Sequence, residues 1–405
     1  METDGFSPNF SADIASGCTD WVVAGGIRIP RLTSEFWTAR QRKASPLHEV
    51  SYRACFKPQL PRFFISRLTD EGDLVYDPFS GRGTTVLEAG LLARRVVAND
   101  TNPLSRILTR PRFFIPDESD VRERLSDIPM IRGARADIDL SMFYHPDTES
   151  QITSLRTYLM NRGESGEEDA LDAWIRMVAT TRLTGHSSGF FSVYTLPPNQ
   201  AVTPGRQEQI NRRRNQVPPS RDILDLILRK TRSLLKGLSP YERALLKQAG
   251  EDGLFLTGDS RNTTAIPRDA VRLTVTSPPF LDTVQYAQDN WLRCWFNGIN
   301  AEEIGRTLTM TRSLAEWCGV MEGTFRELFR LTAPGGHVAF EVGEIRKGRI
   351  RLDEHIVPIG ADAGFFPLAI LVNQQKFTKT SRIWGIGNNE SGTNTNRIVL
   401  FRKEE

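Results

Sequence analysis

Apolar and polar positions along the chain alternate in two rhythms. Short runs such as DLVYD (73 to 77), RVVAND (95 to 100) and VRLTVT (271 to 276) have the length and β-branched content of buried strands. Between the first two lies TTVLEAGLLARR (84 to 95), whose Val86, Leu87, Ala89, Leu91 and Leu92 recur at helical spacing. Strand, glycine turn, helix, strand and acid in that order predict a βαβ unit with its turn at the carboxyl end of a strand. A short amphipathic helix is expected at KPQLPRFFISRL (57 to 68). From about 116 to 250 the rhythm becomes helical, clearest in EDALDAWIRMVATTRL (168 to 183) and RDILDLILRKTRSLLKGL (221 to 238). The intervening 184 to 220 reads as a long loop rich in glycine, serine, proline and arginine. The α/β rhythm resumes near Leu254, with a helix at 313 to 331 and strands at HVAFEV (337 to 342), PLAILV (367 to 372) and RIVLF (397 to 401).

This pattern divides the chain into a loop-rich segment over 1–45, an α/β domain built from 46–115 and 250–405, and a helical insertion over 116–249. Composition agrees with a soluble globular protein: hydrophobic residues make up 39% and charged residues 25%. No apolar run is long enough to span a membrane, and the polar, acidic N-terminus lacks the features of a signal peptide, so a cytoplasmic location is expected. The four cysteines are scattered, with no C-x-x-C, and the five histidines lack ligand spacing, so no metal is expected. Cys294, Cys318, Trp291, Trp295 and Trp317 fall on helical patterns as core positions, and His186 reads as a loop residue or phosphate contact.

Net charge is only +3, but basic residues cluster between Gly205 and Lys236. Arg206, Arg212, Arg213, Arg214 and Arg221 make this stretch a candidate polyanion contact, weighed against a merely solvated face.

Two stretches carry chemistry. In DPFSGRGTT (77 to 85), Gly81 and Gly83 permit a tight turn and close approach of a ligand to backbone at the start of a helix. A Walker A loop is excluded because no G-K-[ST] follows, and Val86 breaks the G-x-G-x-x-G spacing of dinucleotide folds. Asp100, ending the next strand, is placed to accept hydrogen bonds from ribose hydroxyls.

The second stretch, SPPF at 277 to 280, stops a strand with two residues that cannot donate a ladder hydrogen bond. An exocyclic base amine is a poor nucleophile because its lone pair is delocalised into the ring. Acceptors on its N–H groups draw it toward a more reactive geometry. Ser277 offers a hydroxyl, Pro278 a carbonyl of fixed direction, and Phe280 a face for a base swung out of a helix.

DPFSGRGTT together with TSPPF resembles the paired signatures of the DNA amino-methyltransferase family, which modifies cytosine N4 or adenine N6. The resemblance covers roughly 50–115 and 250–405 and implies a Rossmann-like S-adenosylmethionine-dependent methyltransferase fold, a mostly parallel sheet flanked by helices. It implies S-adenosylmethionine as cofactor, held by Lys57, Asp77, Pro78, Phe79, Gly81, Gly83, Thr84, Thr85, Asp100 and Asp259, the last meeting the adenine amine. It places Ser277, Pro278, Pro279 and Phe280 at the target base, and APGGHVAFEVG (333 to 343) in the later helix-turn-strand unit. It implies double-stranded DNA as partner, the insertion as its recognition surface, and a setting that admits a cognate restriction endonuclease. Ser-Pro-Pro in this family accompanies cytosine N4. Two departures stand out: the cofactor motif precedes the Ser-Pro-Pro motif, and the insertion lies between Asp100 and Asp259. The competing readings are an adenine-N6 enzyme, an RNA amino-methyltransferase, and a non-catalytic nucleic-acid-binding protein on the same fold.

Overall fold

The computed structural model describes residues 19–34, 36, 44–52, 55–197, 200–279, 289–307, 313–345, 349–374 and 395–405. Phe280 and Cys18 lie outside the described residues.

A nine-stranded sheet organises the chain. One edge carries a hairpin of β1 (Asp20–Ala24) and β2 (Ile27–Ser34). The other half is built from β3 (Leu74–Asp77), β4 (Arg95–Asp100) and β5 (Leu254–Thr257), each parallel to the next. The chain then crosses to the other side of β3, where β6 (Val271–Thr276) and β7 (Thr332–Val342) continue the parallel set. Two short strands, β8 (Glu344–Ile345) and β9 (Ile350–Arg351), pair with each other as a separate ribbon. Strands β10 (Phe366–Gln374) and β11 (Thr395–Arg402) complete the main sheet, with β11 inserted antiparallel between β7 and β10. The strand order is β1-β2-β10-β11-β7-β6-β3-β4-β5. This is a doubly wound, Rossmann-like sheet with its topological switch between β3 and β6, the place where such sheets open a crevice.

The elements arise where local chemistry favours them. Helix α1 (Gln59–Leu68) buries Leu60, Phe63, Phe64 and Ile65. Helix α2 (Thr84–Leu91) follows the glycine turn, and α3 (Leu104–Thr109) follows β4. The insertion contributes α4 (Glu118–Asp127), α5 (Pro146–Glu164), α6 (Ala170–Arg182), α7 (Pro204–Arg214), α8 (Ile223–Leu235) and α9 (Pro240–Glu251). Capping boxes start α6 (Asp169 with Asp172) and α9 (Ser239 with Glu242), each satisfying backbone donors that the helix leaves open. After β6 come α10 (Trp291–Phe296), α11 (Ala301–Thr307), α12 (Leu314–Leu331) and α13 (Leu352–Asp362).

Alternate residues of the strands feed opposite faces. Val75, Val96, Leu273 and Val275 join one core with α1, α2 and the insertion's Ile152, Leu155, Trp174, Ile175 and Ile227. Tyr76, Val97 and Phe340 join the other, against Phe325, Leu328 and Ile356. The insertion therefore shares one continuous apolar core with a face of the sheet.

Two sequence expectations change. Part of the segment 1–45, expected to be loop-rich, is the β1–β2 hairpin, and β2 joins the sheet by pairing in parallel with β10. Arg206, Arg212, Arg213 and Arg214 stand on α7 rather than in a loop, because Thr203 caps the helix and Pro204 opens it. Of the expected core positions, Trp317 and Cys294 are buried, whereas Trp291, Trp295 and Cys318 are half-buried.

Candidate active site

Asp77 closes β3 with its carboxyl buried. It accepts the Thr276 hydroxyl at 2.6 Å and the Phe79 N–H at 3.2 Å. Burial pushes this carboxyl up to about 7, against hydrogen bonds from Thr276 and Phe79 that pull it down. The Thr276 contact joins the carboxyl ends of β3 and β6, the two strands that flank the switch.

The turn after Asp77 is fixed by its own backbone. Ser80 N–H donates to Asn99 O at 3.0 Å, and Gly83 N–H to Ser80 O at 2.6 Å. Gly81 N–H donates to Asp100 Oδ2 at 2.9 Å. Both glycines lie at positive φ, +51° and +72°. They differ in what surrounds them. A Cβ on Gly83 would stand 2.3 Å from Thr109 Cγ2, so that glycine is required by packing. A Cβ on Gly81 would meet nothing nearer than Tyr52 Cε1 at 3.5 Å, so Gly81 faces open space beside an aromatic ring. Among the other residues expected here, Thr84 and Thr85 are buried, and Thr85 Oγ1 donates to Val275 O at 3.0 Å. Pro78 is buried, Phe79 is half-buried, and Lys57 is exposed just ahead of α1.

Asp100 accepts at both oxygens, from Gly81 N–H and, at 2.9 Å, from Asn102 N–H. Burial pushes its carboxyl up to about 6. Gly258 N–H donates to Asp100 O at 3.1 Å, which brings Asp259 to the same end of the sheet. The Asp259 carboxylate is taken up by Arg261, with contacts of 2.9 and 2.5 Å that hold it below the usual carboxylate range.

The end of β6 is held from outside. Ser277 stands beside Glu341, a β7 carboxyl that is 6% exposed; burial raises it, and Ser277 and Asn396 act against that rise. Asn396 Nδ2 donates to the same carboxyl at 2.8 Å. Trp317 Nε1, from α12, donates to Pro279 O at 3.0 Å, and Pro278 between them is buried.

Sequence reasoning missed several of these groups. Glu341 was visible as an acid inside the apolar run AFEVG. Tyr52 carried no local signal. It is set against Gly81 by two arginines that tie down the preceding backbone: Arg82 Nη1 donates to His48 O and Val50 O, both at 3.0 Å, and the fully buried Arg112 donates to Leu47 O at 3.0 Å and to Arg82 O.

The basic residues lie elsewhere. Arg206, Arg212, Arg213 and Arg214 are exposed. Arg212 pairs with Glu208 at 3.0 Å, and Arg214 lies 3.8 Å over the Tyr194 ring. Arg221 donates to Ser188 O at 3.2 Å. Among the described residues no three His, Cys, Asp or Glu side chains are grouped to hold a metal ion, and no helix is long and apolar enough to cross a membrane.

Residues 30–106, from β2 into α3 and including the whole glycine turn and Asp100, match a DNA methylase family that groups N6- and N4-directed enzymes. The resemblance to DNA amino-methyltransferases thus holds over the cofactor-side motif, without dividing N4 from N6; TSPPF lies outside the matched stretch. No curated protein matches the chain. Among solved structures, a Thermus thermophilus protein assigned as a DNA modification methylase is 26% identical over 36% of this chain and 51% of its own, with a TM-score of 0.23. The same protein complexed with S-adenosylmethionine aligns at 25% identity, over 36% of this chain and 54% of its own, with a TM-score of 0.24. This chain therefore spans about half the length of that relative. An S-adenosylmethionine-dependent methyltransferase from Methanosarcina mazei is 8% identical over 84% of this chain and 97% of its own, with a TM-score of 0.32. Superpositions this loose decide nothing about the fold, which rests on the strand order.

Proposed function

We propose that this chain is an S-adenosylmethionine-dependent DNA methyltransferase acting on the exocyclic N4 amine of cytosine. The observation that carries the reading is the Thr276–Asp77 hydrogen bond of 2.6 Å, which sets the glycine turn and the Ser-Pro-Pro stop side by side at the switch point.

The residues present fit the cofactor. Gly81 leaves bare backbone open beside Tyr52, Asp100 has lone pairs left for ribose hydroxyls, and Asp77 supplies a carboxyl for a cationic amino-acid end. Bound there, S-adenosylmethionine would supply an electrophilic methyl on a positively charged sulfur. Lys57, Pro78, Phe79, Thr84 and Thr85 would act as walls and supports of this pocket.

On the substrate side, the base amine would donate to the Ser277 hydroxyl and the Pro278 carbonyl. Glu341, beside Ser277, would strengthen that hydroxyl as an acceptor by taking the hydroxyl's own proton and leaving its lone pairs for the amine. The amine nitrogen gains the methyl and releases one proton, so no strong base is required. A cytosine paired inside a duplex cannot reach these groups, so the base would be swung out, with Phe280 as its stacking face.

The test is direct. Incubation of the chain with labelled S-adenosylmethionine and, in parallel, plasmid DNA or RNA, followed by nucleoside mass spectrometry, should yield N4-methylcytosine in the DNA. N6-methyladenine would overturn the base assignment while leaving the reaction class. Methylation of RNA alone would overturn the substrate, and absence of transfer to either polymer would overturn the enzyme.

A further inference from the structure

Helix α3 works on two sides. Toward the glycine turn it sets Ser105 Oγ 2.8 Å from Ser80 Oγ, and Thr109 fills the space that a side chain at Gly83 would need. Away from the turn, Arg106, Ile107 and Arg110 line a cavity of about 480 Å³, shared with α5, α6 and Asn297 just past α10. That volume suits a small molecule, for which sites run roughly 300–1,000 Å³. Pro111, Met160 and Ala173 add to its apolar lining.

Two cations on this lining are unspent. Arg106 is exposed, and Arg110, one turn on, is half-buried. The Arg110 N–H donates to Arg106 O, so the pair has the i,i+4 spacing that puts Cβ atoms about 5–6 Å apart on one face. Neither guanidinium makes a hydrogen bond or ion pair among the described residues; Arg110 lies 4.8 Å over the Phe114 ring. Like charges at this spacing repel. Burial first, then Arg106, push the Arg110 guanidinium down.

The buried charges of the cavity are already committed. Glu168 takes Arg176 through two bonds of 3.0 and 2.7 Å, and Arg176 also donates to Leu159 O at 2.8 Å. Asp169 accepts Arg124 at 2.8 Å and caps α6 through the N–H groups of Leu171 and Asp172, both at 2.9 Å. Glu164 is exposed to water. The unspent charge facing the cavity from α3 is therefore positive.

Asn297 supplies an independent sign of a ligand. It is 7% exposed, and its Nδ2 donates to Thr180 Oγ1 at 3.0 Å and to Arg293 O at 2.8 Å. The Thr180 hydroxyl gives its own proton to Arg176 O at 2.7 Å, so toward Asn297 it accepts. Two acceptors thus fix which way the amide is turned, and its Oδ1 is left buried without a partner. A buried acceptor without a donor is costly.

We infer that this cavity is a second ligand site, separate from the cofactor cradle, for a small phosphate ester that also carries hydroxyls, a sugar phosphate. Arg106 and Arg110 take the phosphate, Asn297 Oδ1 accepts a hydroxyl proton, and the apolar lining covers the carbon skeleton. A phosphodiester within a DNA strand has no free hydroxyl to offer, so DNA backbone would match only half of the site. The inference does not depend on the reaction proposed above.

Calorimetric titration of the full chain with ribose-5-phosphate, in phosphate-free buffer, tests it. Arg106→Gln should weaken binding about tenfold, the loss of one charge-assisted hydrogen bond. Replacing Arg110 with glutamine as well should abolish binding. Inorganic phosphate should bind wild type more weakly than ribose-5-phosphate does, and equal affinities would overturn the role of Asn297. A purely structural Arg106 would lower the melting temperature when replaced. Relief of repulsion should instead leave the ligand-free melting temperature of Arg106→Gln unchanged or raised, while ribose-5-phosphate lifts that of wild type more than that of the variant. Should the double variant not fold, Arg106→Gln, an exposed position, carries the test alone. Wild type without affinity, or Arg106→Gln with wild-type affinity, overturns the site. Competition by saturating S-adenosylmethionine would put the ligand in the cradle and overturn a separate cavity. A fluorescent duplex that loses affinity in Arg106→Gln, with ribose-5-phosphate unbound, would give the arginines to DNA and overturn the sugar-phosphate assignment. A chain that binds ribose-5-phosphate as described but methylates no base overturns the proposed reaction alone.

Discussion

The ends of β3 and β6 are neighbours, yet they are built in opposite ways. After Asp77 the turn is held by residues close in sequence: Phe79, Ser80, Gly83, and Asp100 one strand later. After Thr276 the chain is flanked by side chains that arrive much later: Trp317, which donates to Pro279, and Glu341, which stands beside Ser277. The first end is a cradle set by local backbone geometry. The second is an edge whose position depends on how α12 and β7 pack. Rigidity at the first and tertiary support at the second predict different mutational signatures.

The largest effect is expected at Gly83. Gly83→Ala puts a methyl 2.3 Å from Thr109 at φ +72°, and should cost about 2–4 kcal/mol of stability in a denaturant titration. Gly81→Ala should cost only about 1–2 kcal/mol, the ordinary penalty of a left-handed residue. It should nonetheless weaken cofactor affinity, because the methyl enters the open side. Equal stability losses at the two positions would break the division of roles.

Asp100→Ala comes next. It removes the acceptor of both Gly81 N–H and Asn102 N–H, and should lower cofactor affinity by about 1–3 kcal/mol by calorimetry. At the other end, Ser277→Ala should cost about 1 kcal/mol of stability by stripping a partner from buried Glu341, lower turnover, and leave cofactor affinity unchanged. A Ser277 variant that lost cofactor affinity would show that the two ends are coupled.

A smaller effect concerns pH. Burial raises Asp77 to about 7 and Asp100 to about 6, so their charged forms are disfavoured in the folded protein. Stability from these two groups is therefore fully present below the ordinary carboxylate range and is lost as pH rises through about 6 and about 7. A cationic ligand favours the charged acids, so cofactor affinity should move the other way. It should fall by up to about tenfold for each pH unit lost through this window, with proton release on binding. Titrations in buffers of different ionisation heat would read the protons, and an affinity flat in pH would remove both acids from the pocket. Smallest of all, replacing Arg212, Arg213 and Arg214 together with alanine should flatten the DNA salt slope by less than about one unit per arginine, read by anisotropy of a fluorescent duplex over a range of salt, since Arg212 and Arg214 already hold local partners.

What could be read from the sequence follows the same contrast. RVVAND and VRLTVT became strands over the expected bounds, and the glycine turn lies where the spacing put it, because those signals are local. The hairpin at 20–34 was not legible: its place on the edge comes from pairing with β10, more than 300 residues away. Helix α7 was hidden because its charge run masks periodicity; only Gln207 is buried, although Thr203 and Pro204 were proper start signals. Tyr52 and Trp317 gain their surroundings from packing between distant segments. No window of sequence displays that.

The register between β4 and β5 has a further consequence. Val97 pairs with Leu254, and Asp100 with Thr257, so the whole insertion is one crossover between adjacent parallel strands. The entropy of closing such a connection grows only with the logarithm of its length, about 0.6 kcal/mol for each doubling. The penalty falls on time: strands this far apart in sequence meet late in folding, after nearer contacts have formed. A chain emerging from the ribosome would carry β3, α2 and β4 for many seconds before β5 and β6 exist to complete the sheet. During that interval the edge of β3 that β6 will pair with keeps its backbone N–H and C=O groups open, while helices of the insertion can already cover the apolar sheet face whose core they share.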